Sequence, residues 1–190
     1  MGSGIAAGES PYSFAARPVA KDDLHSLFEA ARWAASSYNE QPWSYLVGTK
    51  EAPEDFTRVL SCLVEGNQAW AKAAPALALG CTSLNFVRNG KPNAAAVHDL
   101  GLASASLVME ATARGLFVHQ MIGILPDKAR ELYRIPEDVQ PKTALAIGYA
   151  GDPNPLPELY KERDLAARNR KGLNDFVFGG QWGTASRLVE

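Results

Sequence analysis

The sequence predicts a single α+β domain, and three observations carry that prediction. Helical and strand-like patterns alternate along 190 residues, a length that fills one full-sized domain and is short for two. A doubly wound parallel sheet would fit the same alternation, but no strand delivers a phosphate-binding glycine turn into the helix after it. The longest helical stretch, residues 94–114, is rich in small residues (Gly101, Ala103, Ser104, Ala105), which suits a central helix packed on all sides.

The elements follow from local patterns. Leu24, Leu27, Phe28, Ala31 and Ala35 recur at the helical period, with Asp22 and Asp23 in the dipole-positive first turn; they predict an amphipathic helix ending near Ser36. Residues 44–49, SYLVGT, read as a short strand. Pro53 opens a second helix with Phe56, Val59, Leu60, Leu63 and Val64 on its apolar face and Gly66 at its end. PALALGC, residues 75–81, is a continuous apolar run bounded by proline and reads as a buried strand. The loop NGKPN then leads into the long helix, whose stripe is Val97, Leu100, Gly101, Ser104, Leu107, Val108 and Ala111, with Gly115 as its stop. LFVHQM follows as a strand, Pro126 starts a short helix through Tyr133, and KTALAIGYAG, residues 142–151, is the last strand.

Beyond Gly151 the composition changes. Pro153, Pro155 and Pro157 come first, then Lys161, Arg163, Arg168, Arg170 and Lys171, then Phe176, Phe178 and Trp182. Chains that stay unfolded are poor in aromatics, so this segment is expected to dock on its own domain or on a second subunit. The expected organisation is a flexible N-terminus at 1–9, a core at 10–151, and an extension of the same domain at 152–190.

Composition excludes several classes of function. A net charge of −2 with mixed signs along the chain lacks the basic stripe of a nucleic-acid or anionic-membrane binder. Cys62 and Cys81 have no metal-type spacing, and His25, His98 and His119 have no helical pairing, so no metal is expected and the thiols read as buried and reduced. GSGIAAG mimics a dinucleotide-binding glycine pattern, but it begins at residue 2 with no strand before it. No secretory leader or membrane-length apolar run is evident, and a cytoplasmic location is expected.

Four polar clusters remain: SSYNEQPW near residue 40, GNQAW at 66–70, HQMIG at 119–123 and RNRK at 168–171. Each alone has an ordinary structural reading as a turn, a helix cap or a solvated basic face. Together they supply hydroxyls, amides, a bare stretch of backbone and cations. Their co-occurrence in this order is the informative part.

In this order the clusters resemble the nitroreductase family of flavoproteins, as do HDLGLASASLVMEATARGL, ALAIGYAG and the closing RNRKGLNDFVFGGQWG. The resemblance spans residues 10–183. It implies a homodimer of α+β subunits, each with a mostly antiparallel central sheet flanked by helices and a C-terminal extension embracing the partner. FMN is the implied cofactor, NADH or NADPH the electron donor, and a small electron-poor molecule the acceptor, with ping-pong kinetics and no protein side chain as nucleophile or proton donor.

Carried over by position, Ser36, Ser37 and Asn39 would contact the flavin of the other subunit, and Asn67 the ring's polar edge at home. Met121, Ile122 and Gly123 would lie beside the reactive ring nitrogen. Arg168, Arg170 and Lys171 would hold the phosphate with Ser10. Trp43 and Trp182 read as core or interface packing. The chain departs from the pattern at Gly8 and Glu9, where basic residues are usual, at Gly172, where proline is, and at Gln181, where arginine is. The same fold also runs other flavin reactions, namely dehalogenation, azole dehydrogenation and flavin cleavage, and a non-catalytic flavin-binding dimer is a further alternative.

Overall fold

The computed structural model describes residues 10–189; the expected flexible segment at 1–9 lies outside the described residues. Along the chain run α1 (Lys21–Arg32), a 3₁₀ turn (Ser37–Asn39), β1 (Trp43–Thr49), α2 (Pro53–Ser61), α3 (Glu65–Ala71), β2 (Ala76–Ser83), α4 (Ala96–Ala113), β3 (Phe117–Met121), α5 (Pro126–Tyr133), β4 (Val139–Gly148), α6 (Glu158–Leu165) and a second 3₁₀ turn (Leu173–Asp175). The strands lie in the order β1-β2-β4-β3, and all three neighbouring pairs are antiparallel. The fold is therefore α+β with an antiparallel sheet.

Strand periodicity divides the core into two layers. Ala76 and Ala78 of β2 with Leu145 and Ile147 of β4 pack with Leu27 and Ala31 of α1 and Ala103, Leu107 and Ala111 of α4. Leu77, Leu79 and Cys81 with Ala144 and Ala146 face the other way, with Phe56, Val59, Trp70, Ala71 and Ala129. Helices cover both faces, which is why the middle strands read as unbroken apolar runs. Both cysteines are buried and free, and burial pushes the Cys81 thiol up to about 11, so it stays protonated and unreactive at neutral pH.

The structure corrects three expected boundaries. α1 ends at Arg32 rather than near Ser36, with Trp33 as its C-cap; Ser36 is already extended at φ −148° and ψ 156°, and the chain then turns through Tyr38, Asn39 and Gln41, all left-handed. Gly66 lies inside α3 instead of ending α2: α2 stops at Ser61, Leu63 bridges to Ile124, and the Val64 amide donates to the Gly123 carbonyl at 3.1 Å, so a tertiary pairing replaces helix continuation. β4 begins at Val139 rather than Lys142. Pro141 is tolerated because it sits opposite Cys81 at a register shift, beyond the end of β3, whose pairing starts at Ala144.

α4 buries Leu100, Ser104, Leu107 and Ala111 of its expected stripe, whereas Val97 and Gly101 face out. Val97, Gly101, Ala105 and Met109 form a second, exposed stripe at i, i+4 spacing. In the extension, α6 docks on its own chain, while Phe176, Trp182 and Leu188 are exposed. Among the described residues, no helix is long and apolar enough to cross a membrane.

Candidate functional site

The segment after Ser10 is pinned along the chain that leaves β4. Phe14 bridges to Ala150, the Ala15 amide donates to the Tyr149 carbonyl at 2.9 Å, and the Gly151 amide donates to the Ser13 carbonyl at 3.1 Å. A Cβ on Gly151 would stand 2.6 Å from the Phe14 carbonyl carbon, so only glycine permits this approach. The segment carries Ser10 to the lip of a cavity of about 550 Å³, lined also by Ser13, Arg163, Asp164, Arg168 and Arg170.

α6 closes the opposite side. The Asp164 carboxylate accepts from the Tyr12 amide at 2.6 Å, the Ser13 amide at 2.9 Å and the Ser13 hydroxyl at 2.6 Å. The Tyr160 hydroxyl donates to the Gly66 carbonyl at 2.8 Å, tying α6 to α3 as well. Three guanidinium groups thus share the cavity wall with one carboxylate whose oxygens already accept three protons. That balance favours an anion. Lys171 is exposed and outside the lining.

Asn67 of α3 meets Gly123 just past β3. Its Nδ2 donates to the Gly123 carbonyl at 2.9 Å, which leaves Oδ1 and a second N–H for a ligand's polar edge. A Cβ on Gly123 would stand 2.5 Å from Asn67 Nδ2 and 2.9 Å from a Val64 methyl; the space a side chain would take is filled by these two residues. Met121 is buried, and its carbonyl accepts from the Thr143 hydroxyl at 3.0 Å. Ile122, between them, is 89% exposed.

The turn at Ser36, Ser37 and Asn39 is strained and internally braced. Tyr38, Asn39 and Gln41 have φ of 54°, 56° and 51°, a region that costs L-residues energy and recurs at functional sites. The Ser36 hydroxyl accepts from the Gln41 amide at 3.0 Å, the Ser37 amide donates to Asp99 of α4 at 3.0 Å, and Glu40 accepts from the Val87 amide at 2.5 Å. The Ser36 hydroxyl accepts within the turn and keeps its O–H to donate, and the Asn39 side chain is exposed.

Between cavity and sheet, His119 packs against Trp70 and Tyr12 with ring centroids at 4.4 and 4.6 Å. Its Nδ1 lies 3.0 Å from the Pro11 carbonyl. Burial lowers its pKa, so the ring is neutral and Nδ1 carries the proton that the carbonyl accepts.

Of the expected residues, the structure brings Ser10, Arg168 and Arg170 into one cavity and Asn67 against Gly123; Ser36, Ser37 and Asn39 form a separate turn on α4. Sequence reasoning missed Asp164, Arg163 and Asp99. Asp164 stood in the sequence as the single acid of the DLAARNRK run, and Asp99 as an acid on the buried side of a helix.

The nitroreductase family model matches residues 5–149. A Mycolicibacterium smegmatis protein described only as an uncharacterized 15.4 kDa protein is 35% identical over 136 residues, 72% of this chain and 90% of its own. A Streptomyces coelicolor protein provisionally named an NADH dehydrogenase/NAD(P)H nitroreductase is 42% identical over 69 residues, 36% of this chain and 33% of its own. A crystal structure of an FMN-containing oxidoreductase superposes with a TM-score of 0.90 at 32% identity, covering 97% of this chain and 93% of that one. The chain belongs to the nitroreductase family.

Proposed function

We propose that this chain is an FMN-dependent oxidoreductase that works as a homodimer. The observation that carries the reading is the cavity where Ser10, from one end of the chain, meets Arg168 and Arg170 from the other. Its donor set suits a phosphate: one hydroxyl and planar guanidinium groups able to bind two oxygens at once. The half-open amide of Asn67 beside Gly123 suits the urea-like edge of an isoalloxazine. The superposition on an FMN-containing oxidoreductase supports the same cofactor.

FMN, when bound, would supply redox chemistry between NADH or NADPH and an electron-poor acceptor such as a nitroaromatic or quinone, with ping-pong kinetics. The protein's own residues bind, orient and exclude water. Arg168, Arg170 and Ser10 would hold the phosphate. Asn67 would fix the ring's polar edge, and its bond to Gly123 locks the amide rotamer. Buried Met121 and exposed Ile122 would form the wall beside the ring. In a dimer, Ser37 and Asn39 would reach the other subunit's cofactor, presented by the strained backbone of Tyr38 and Asn39.

Dimerisation is supported by α4, whose outward stripe carries Val97 and Met109 at 51% and 61% exposure, and by Trp182 and Leu188, each 91% exposed in the single chain. Reconstitution with FMN followed by assay of NADH and NADPH oxidation, with and without a nitroaromatic or quinone, tests the reading. Acceptor-dependent oxidation is expected. A protein whose melting temperature does not rise with FMN and that turns over neither donor would contradict it.

A further inference from the structure

We infer that Asp164 is a positioning residue that latches the C-terminal extension onto the N-terminal segment and thereby assembles the phosphate end of the cofactor site; the inference rests on the FMN reading above. α6 buries none of its residues fully; its packing against the core comes from Tyr160, partly buried with its ring 5.2 Å from that of Tyr12. The rest of its attachment is polar: Tyr160 to Gly66 at 2.8 Å, Arg163 to the Tyr12 hydroxyl at 3.3 Å, and the three short bonds to Asp164 at 2.6, 2.9 and 2.6 Å. The Asp164 bonds are charge-assisted, and they are the strong ones of this set. Ser13, which donates two of them, is 6% exposed, so breaking the latch strands buried donors.

Two consecutive backbone amides and a hydroxyl converging on one point make an anion-binding nest. Here the nest is filled from within the chain by a carboxylate that also lines the cavity. The Tyr12 and Ser13 donors are therefore not offered to an incoming phosphate, which is left to Ser10, Arg168 and Arg170. Those three come together because Asp164 holds α6, and the arginines that follow it, over the segment that carries Ser10. The latch acts first on the phosphate end: Asn67 and Gly123 are held by their own bond, and α6 reaches their neighbourhood through the separate Tyr160 bond to Gly66.

The test compares FMN with riboflavin, which has the same ring and no phosphate. Dissociation constants for both are measured by flavin fluorescence on full-length apoprotein of wild type, Asp164→Ala, Asp164→Asn and Ser13→Ala. Asp164→Ala is expected to weaken FMN about tenfold or more, the scale of lost charged hydrogen bonds, while riboflavin changes by less than about twofold. Asp164→Asn, which keeps an acceptor oxygen but no charge, should fall between wild type and alanine. Trypsin cleavage across residues 161–171 of the flavin-free protein should quicken in Asp164→Ala.

Equal loss of both flavins, unchanged affinities, or tighter FMN binding because the freed nest takes the phosphate would each overturn the inference. A folded Ser13→Ala protein carries the same comparison if Asp164→Ala does not fold. Wild type that binds neither flavin overturns the FMN reading, and the latch's role in cofactor binding with it; wild type that binds FMN while the variants keep its preference over riboflavin overturns only the role of Asp164.

Discussion

The Asn67 amide nitrogen donates to the Gly123 carbonyl at 2.9 Å and lies 2.5 Å from the point where a Cβ on Gly123 would stand. One contact thus defines both residues. The glycine is required by the asparagine, and the asparagine's rotamer is fixed by the glycine's carbonyl.

Gly123→Ala should force Asn67 out of this position. Overpacking against Asn67 and Val64 is expected to cost about 1–3 kcal/mol of stability, with a larger proportional loss of bound flavin, because the displaced amide is the one proposed to meet the ring. Thermal unfolding of the apoprotein and flavin content after purification give the two numbers; unchanged flavin content would contradict the assignment.

Arg170→Ala should weaken FMN about tenfold and leave riboflavin nearly unchanged, since the proposed role of Arg170 is a charged hydrogen bond to the phosphate and not a ring contact. The salt dependence of FMN binding should become shallower in the same variant. Titrations at two ionic strengths check both.

Residue order carried the α+β class and drew attention to Ser10, Arg168 and Arg170, which line one cavity, but other features stayed hidden for physical reasons. Period-2 alternation cannot show in a strand covered on both faces, so ALALGC announced burial of β2 but not whether its neighbours run parallel or antiparallel. The stop of α2 at Ser61 rests on the pairing of Leu63 with Ile124, distant in sequence, so Gly66 drew the helix end instead. Arg168 and Arg170 stood out as cations, whereas the latch of Asp164 depends on where the segment at Tyr12 and Ser13 is pinned. Gly172, in place of the expected proline, has a backbone a proline could adopt, yet its N–H donates to Asp175 at 2.9 Å. That bond braces the second 3₁₀ turn and uses an N–H that proline lacks.

Acid should destabilise the fold through His119. Burial lowers its folded pKa below the ordinary 6.5, so the unfolded chain takes up the proton first as pH falls. The native state keeps its full stability above about pH 6.5 and loses it progressively as pH falls toward the folded pKa. Melting temperatures from pH 8 to 5 should fall more steeply in wild type than in His119→Asn, whatever the variant's absolute stability.

Met109→Lys, alone or with Val97→Lys, should break the proposed dimer, because both side chains are exposed on one stripe of α4 and a charge there must be desolvated on association. Sedimentation is expected to give a dimer for wild type and a monomer for the double variant, and the monomer should also lose flavin. A wild-type monomer that retains FMN would contradict the shared site.

The visible absorbance of the purified protein, followed anaerobically as NADH and then NADPH is added, bears most directly on the central claim. The account predicts flavin absorbance bands, from co-purified or added FMN, that bleach with at least one donor and return when a nitroaromatic or quinone is supplied. Protein that stays colourless after incubation with FMN, or bound flavin that neither donor bleaches, would contradict it.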